Sequence, residues 1–182
     1  PIAGDRGLWE AFAALIDPLR YPAAGLDATQ VREIRTMKAR VESERLPRGA
    51  DPRTHLKLGR GGLTDVEWTV QLLQLRHAHE VPSLQTPGTM AGLRAATAAG
   101  LVGEEDSATL AAAYENASRL RNANLLWRGR PGDAVPTDIR DADGVGRIVG
   151  RAPGTGAGLM EDYLRASRRA RAVTESLFYE SQ

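Results

Sequence analysis

Apolar residues along most of this chain recur every three or four positions, the spacing of one face of a helix. From Asp5 to Ile16, the residues Leu8, Phe12, Leu15 and Ile16 fall on one side, and Pro18 and Pro22 are expected to end that helix. Asp27 then stands as an N-cap with Gln30 at the capping-box position, and Val31, Ile34, Met37 and Val41 form the expected buried face. Pro47 to Pro52 reads as a polar loop. Arg53 to Leu58 reads as a possible short strand, with Leu56 and Leu58 alternating. A helix from Thr64 to about His79 carries Leu63, Val66, Val70, Leu73 and His77 at helical spacing. Another starts at Thr86-Pro87 and stops at Gly100. Glu104 to about Trp127 is a long helix expected to bury Leu110, Tyr114, Ala117 and Leu120. The stretch 129–158 is rich in glycine and proline, with one short helix near 145–149, and is the least ordered part expected. The last helix, Leu159 to about Tyr179, has the cleanest stripe: Leu159, Tyr163, Ala166, Ala170, Val173 and Leu177. The pattern predicts an all-α bundle of about six helices, with at most a short strand or two near residues 53–59.

Composition narrows the picture. The chain has 182 residues, 42% of them hydrophobic, so a core can form; aromatics are only 5%, and alanine and leucine dominate, which favours helix packing over a β-sandwich. A formal net charge of +1 points neither to a polyanion binder nor to a membrane-surface protein. With 0 cysteines, no disulfide framework or thiolate metal site is possible, which is compatible with a cytoplasmic protein. No apolar run approaches the roughly 20 residues needed to span a bilayer. No signal peptide precedes the first helix, and the absence of an initial methionine suggests a piece of something longer.

The densest chemistry is the run Lys57-Leu58-Gly59-Arg60-Gly61-Gly62-Leu63-Thr64-Asp65-Val66-Glu67-Trp68. Three glycines lead into an abrupt helix start, and Thr64 and Glu67 have capping-box spacing. Such a junction aims free backbone N–H groups and the positive end of a helix dipole at one point, a natural anion site. Lys57 and Arg60 add positive charge, Asp65 and Glu67 add carboxylates. The mixture suits a phosphate or a nucleotide-bound metal. The other open reading is structural: the glycines permit a tight strand-to-helix turn. The run is neither a Walker A loop nor a Gly-x-Gly-x-x-Gly fingerprint.

Read from His55 through Gln71, this run resembles the signature of glutamine synthetase adenylyltransferases. The resemblance continues through Leu75-Arg76-His77-Ala78-His79-Glu80, Leu125-Leu126-Trp127-Arg128-Gly129-Arg130-Pro131 and Leu177-Phe178-Tyr179, and Pro1-Ile2-Ala3-Gly4-Asp5 looks like the remainder of another family segment. The Thr64-Asp65 version resembles the adenylylating, C-terminal half of that two-headed enzyme; uridylyltransferases of PII proteins share the motif more loosely. The resemblance implies a parent that uses ATP and Mg2+ to transfer AMP to a tyrosine of glutamine synthetase, with a PII-type protein as a further possible partner. It implies that Lys57, Arg60, Gly61, Gly62, Asp65 and Glu67 lie on the nucleotide side. Residues 1–62 would be the tail of the nucleotidyltransferase core and 63–182 a C-terminal helical bundle. The Gly-Ser…Asp-x-Asp metal motif of that core is absent, so this piece is not expected to transfer AMP alone. His55 departs from the aspartate relatives often carry. An alternative is a regulatory docking module, with the glycine turn purely structural.

Other constellations carry blander expectations. Asp65 and Glu67, two apart, point away from each other on a helix and make a poor metal pair. Asp141-Ala142-Asp143 precedes Gly144 in a polar stretch and reads as turn or cap duty. His55, His77 and His79 lack zinc-ligand spacing. The charge run Arg32, Arg35, Lys38, Arg40 with Glu33, Glu42, Glu44 reads as a solvated face, as does the series Arg165, Arg168, Arg169, Arg171; docking of a partner protein comes second, and nucleic acid is not expected.

Overall fold

In the computed structural model, which describes residues 3–180, the periodic segments form helices joined by capped turns. Helix α1 (Arg6–Arg20) starts where the Asp5 side chain accepts from the Leu8 N–H. Helix α2 (Ala28–Glu44) opens with the expected Asp27/Gln30 capping box. Then come α3 (Leu63–His77), a 3-10 turn (Pro82–Leu84), α4 (Thr89–Ala98), α5 (Glu104–Arg128), α6 (Ile139–Ile148) and α7 (Ala157–Thr174), which runs into a π-helical turn (Glu175–Glu180). These are seven α-helices, and no strand forms among the described residues. The segment expected as a strand makes only an isolated antiparallel bridge from His55 to Ala134. Pro1 and Ile2, part of the segment 1–5 that carries some of the resemblance, lie outside the described residues.

Helix α5, with 25 residues about 37 Å long, is the spine. It packs most extensively against α7 and also meets α3, α4 and α6. Its buried positions Leu110, Ala113, Ala117, Leu120 and Ala123 step by three and four, and the alanines admit close approach. Two apolar clusters share this spine. One joins Val66, Val70, Leu84, Leu93, Leu110 and Ala170. The other joins Leu56, Leu63, Leu120, Val135, Val145, Leu159 and Tyr163 and carries the turn before α3. Outside them, Val31 of α2, Leu72 of α3 and Phe178 of the π-turn form a third group.

Several expectations change. Helix α1 runs over Pro18 to Arg20, since only one turn remains beyond the proline. None of its residues is buried, and Leu8, Phe12, Leu15 and Leu19 are exposed. On α2, Met37 faces solvent and Lys38 takes the buried place beside it. The part expected to be least ordered holds all of α6, because Asp138 caps it early by accepting from the Asp141 N–H. Helix α4 begins after Thr86-Pro87, at Thr89, because Gln74 pins the preceding carbonyls of Leu84 and Thr86 at 2.8 and 2.7 Å. Along α7, Ala166, Val173 and Leu177 are only partly buried. Ser167, Thr174 and Phe178 take the inner positions, and the wider π-turn carries Phe178 inward.

Candidate functional site

The site is built around the turn between α2 and α3. Its incoming limb is held to the α5–α6 connection: the Leu56 N–H donates to the Asp133 carbonyl at 2.6 Å and the Val135 N–H to the Thr54 carbonyl at 3.0 Å. Leu56, fully buried, anchors the limb in the core. Gly61 has φ +73°, and a Cβ there would overlap the Ser167 carbonyl on α7; a Cβ on Gly62 would lie 2.7 Å from the Leu56 carbonyl oxygen. Glycine is therefore needed for close backbone approach as well as for the left-handed conformation.

Every main-chain N–H from Leu58 to Asp65 donates inside the fold. Leu58 donates to His55 Nδ1 (3.0 Å) and Gly61 to Asp65 Oδ2 (2.7 Å). The N–H groups of Gly59, Arg60, Gly62, Leu63, Thr64 and Asp65 go to the carbonyls of His55, Pro52, Gly59, Leu56, Lys57 and Gly62. The free amides expected at this junction are thus absent, and charge for an anion must come from side chains. The Thr64/Glu67 capping box does not form either. The N-cap lies two residues earlier, at Gly62, and α3 starts at Leu63. Asp65 takes the reach-back role in the first turn, while Glu67 Oε1 accepts from the Tyr114 hydroxyl at 3.4 Å.

Asp65 is the hub of a buried charge network. Its Oδ1 accepts from Lys38 Nζ at 2.6 Å and its Oδ2 from Arg171 at 3.1 Å. Lys38, 0% exposed, also bonds Glu42 and sits 5.5 Å from the Phe178 ring centre. Arg171 bonds Glu42 at 3.0 Å and Glu175 at 2.8 Å. Burial penalises the Lys38 ammonium, but the charge and hydrogen bond of Asp65, then those of Glu42, outweigh it and raise its pKa. Burial likewise works against the Glu42 carboxylate, and Lys38 and Arg171 overcome it, lowering its pKa. The network ties α2, the glycine turn, α7 and the π-turn together.

On the outer side of the turn a cleft of about 290 Å³ opens against α7. Arg53, Arg60, Arg168 and Arg171 line it with Glu175, over the apolar surface of Leu164 and Ala172. Arg53 is held by Asp51 at 2.8 Å. Lys57 and Arg60 project at the surface.

A family model described as GlnD PII-uridylyltransferase matches residues 35–178. The chain belongs to this family. The matched stretch of the GlnD PII-uridylyltransferase family takes in Lys38, Glu42, the glycine turn, Arg171 and Phe178. Among curated relatives, the bifunctional glutamine synthetase adenylyltransferase/adenylyl-removing enzyme of Streptomyces coelicolor is 57% identical over 178 residues, 98% of this chain and 18% of that protein. The protein of the same name from Cutibacterium acnes is 49% identical over 177 residues, 97% of this chain and 18% of that protein. The chain thus spans less than a fifth of the curated relatives it matches.

The nominated residues divide into three groups. Gly61, Gly62 and Asp65 are buried in the turn and its network. Lys57 and Arg60 are exposed on its rim, and Glu67 faces α5. Contacts cross the expected boundary at 62/63: Leu63 donates to Leu56, and Lys38 reaches Asp65. Sequence reading missed Lys38, which is no part of a solvated face. Its signal was a place on the α2 stripe seven residues after Val31. It also missed that Arg168 and Arg171 come to the same cleft as Arg60. Asp141 accepts from Trp127 Nε1 at 2.9 Å and Arg128 at 2.6 Å, and Asp143 from the Gly154 N–H at 2.6 Å, so both brace α6. No three His, Cys, Asp or Glu side chains among the described residues converge as metal ligands.

Proposed function

We propose that this chain is the C-terminal part of an enzyme that transfers AMP from ATP to a tyrosine hydroxyl of glutamine synthetase, with release of pyrophosphate, and so regulates nitrogen assimilation. The observation that carries this reading is the likeness, over nearly the whole chain, to proteins named bifunctional glutamine synthetase adenylyltransferase/adenylyl-removing enzyme. In it, Lys57 and Arg60 supply positive charge to the nucleotide side. Gly61, Gly62 and Asp65 hold the turn that presents them, and Glu67 fixes α3 to α5 through Tyr114. Catalysis of this kind rests on positioning and charge neutralisation.

ATP with Mg2+ is the donor proposed for the parent. The donor set here does not fit the ion: both Asp65 oxygens are already engaged by Lys38, Arg171 and the Gly61 N–H. The metal ligands therefore belong to other parts of the parent, and the isolated chain does not transfer AMP. Lys57→Ala in the intact parent, an exposed change that leaves the turn folded, is expected to weaken ATP affinity and slow transfer. Unchanged affinity and rate would remove Lys57 from the nucleotide side. The same reading places the parent in the cytoplasm, without nucleic-acid or membrane partners. No helix among the described residues is long and apolar enough to cross a membrane.

A second reading, a regulatory module that docks glutamine synthetase or a PII-type protein, is favoured by the bare apolar face of α1, where Leu15 is 72% exposed. Titration of the chain with each protein tests it, and Leu15→Glu should abolish any such binding.

A further inference from the structure

We propose that the cleft between the glycine turn and α7 is a binding site for pyrophosphate, either free or as the phosphate tail of a nucleotide. Four guanidinium groups border one small cavity, and two of them are already balanced. Arg53 is forked onto Asp51, and Arg171 is held by Glu42, Asp65 and Glu175. No ion pair among the described residues engages Arg60 or Arg168. One stands on the turn and the other on α7, and their backbones are locked together where Gly61 meets the Ser167 carbonyl. Both arginines border the same cleft from different elements, and an anion seated there would balance two charges that have no ion-pair partner among the described residues. Guanidinium groups bind phosphate oxygens in pairs of charge-assisted hydrogen bonds, so two arginines on one cleft suit an anion with more than one phosphate. Cleft walls of lower dielectric strengthen the attraction.

Size and lining exclude a whole nucleotide. A cavity of about 290 Å³ lies at the small end for ligand pockets, and no aromatic side chain lines it to stack a base. Leu164 and Ala172 give an apolar floor, and the polar groups beside it are engaged: Glu175 accepts from Arg171, and the Ser167 hydroxyl donates to the Leu164 carbonyl. The engaged main-chain amides of the turn leave recognition to the two arginine side chains. The site deepens the reading of the glycine turn as a nucleotide side and rests on it for the source of the phosphate. The binding itself depends only on Arg60 and Arg168.

Calorimetric titration of the 182-residue chain with sodium pyrophosphate, ATP and AMP, all without Mg2+, tests it. Arg60→Gln, Arg168→Gln and, as a control outside the cleft, Arg169→Gln are titrated alongside, with thermal unfolding to show that each is folded. Pyrophosphate is expected to bind, with affinity lowered at least about tenfold by Arg60→Gln or Arg168→Gln and less than about twofold by Arg169→Gln. ATP that competes with pyrophosphate supports the phosphate tail as ligand; pyrophosphate binding without competition by ATP supports the free ion. AMP should not compete. No pyrophosphate binding by the folded chain, or an equal loss in all three variants, overturns the site. Failure of Lys57→Ala to alter transfer in the parent would leave these titrations untouched, so the two readings fail separately.

Discussion

At the scale of single residues, Asp65 carries the most consequence. It accepts from Lys38, Arg171 and the Gly61 N–H, and is itself only 2% exposed. A buried ion pair adds little over a well-packed apolar replacement, but removing one partner leaves a charge stranded. Asp65→Asn is therefore expected to cost about 3 kcal/mol in urea unfolding, at the low end for such losses because Glu42 still serves both cations. The network also sets a pH window. Glu42 has a lowered pKa in the folded state, so its contribution is present above its ordinary value of 4.5 and fades as pH falls through the lower folded value. Lys38 has a raised pKa, so its contribution is complete below its ordinary value of 10.5 and fades as pH rises through the higher folded one. A plot of unfolding free energy against pH should fall off at both ends, and the Lys38→Met variant should lose the alkaline limb contributed by this group. Asp65 was visible in the sequence as a first-turn acid. Its partners were not, because they lie 27 residues before it and 106 after it, distances over which local spacing carries no information.

Among elements, α1 is the outlier. Its strongly amphipathic pattern promised a packed face, yet Leu8, Leu15 and Leu19 remain in solvent. Only the end of the helix approaches the bundle, where Tyr21 packs beside the α3–α4–α5 cluster. Leu15→Glu should leave the unfolding free energy of the chain within about 0.5 kcal/mol of its value, since it empties no cavity and breaks no buried contact. A larger loss in urea unfolding would mean that α1 contributes to this core. Helices α3, α5 and α7 were legible because a period near 3.6 runs through each. The exceptions are instructive. Helix α6 was read too short because Asp141 and Asp143 before Gly144 looked like a polar turn. In the fold, Gly144 makes room for the Trp127 indole, a need set by tertiary contact. On the final helix the buried line runs through the polar Ser167 and Thr174, one residue after the apolar Ala166 and Val173 that the pattern pointed to, and the π-turn then brings Phe178 inward in place of Leu177.

For the molecule as a whole, helical class and the position of the critical turn could be read directly; the joining of distant segments could not. Gly61 is the clearest case. Its sequence context suggested conformational freedom, but the reason no larger residue fits is the Ser167 carbonyl on the other limb of the bundle. Gly61→Ala is expected to cost about 1–3 kcal/mol from backbone strain alone, with displacement of α7 adding to it. Thermal unfolding and loss of the α7 amide protection pattern in hydrogen exchange would measure the two parts. An alanine variant as stable as the parent sequence would refute the close approach. The same closure has a meaning for biosynthesis. Asp65 leaves the ribosome 106 residues ahead of Arg171, an interval of roughly 5 to 20 seconds at ordinary translation speed. Through that interval the nascent turn has no α7 to rest against. Helix α7 is the one that locks the first half in place, so the turn and its charge network close only once α7 has emerged, and a product stalled or cut short before α7 would be left open to proteases.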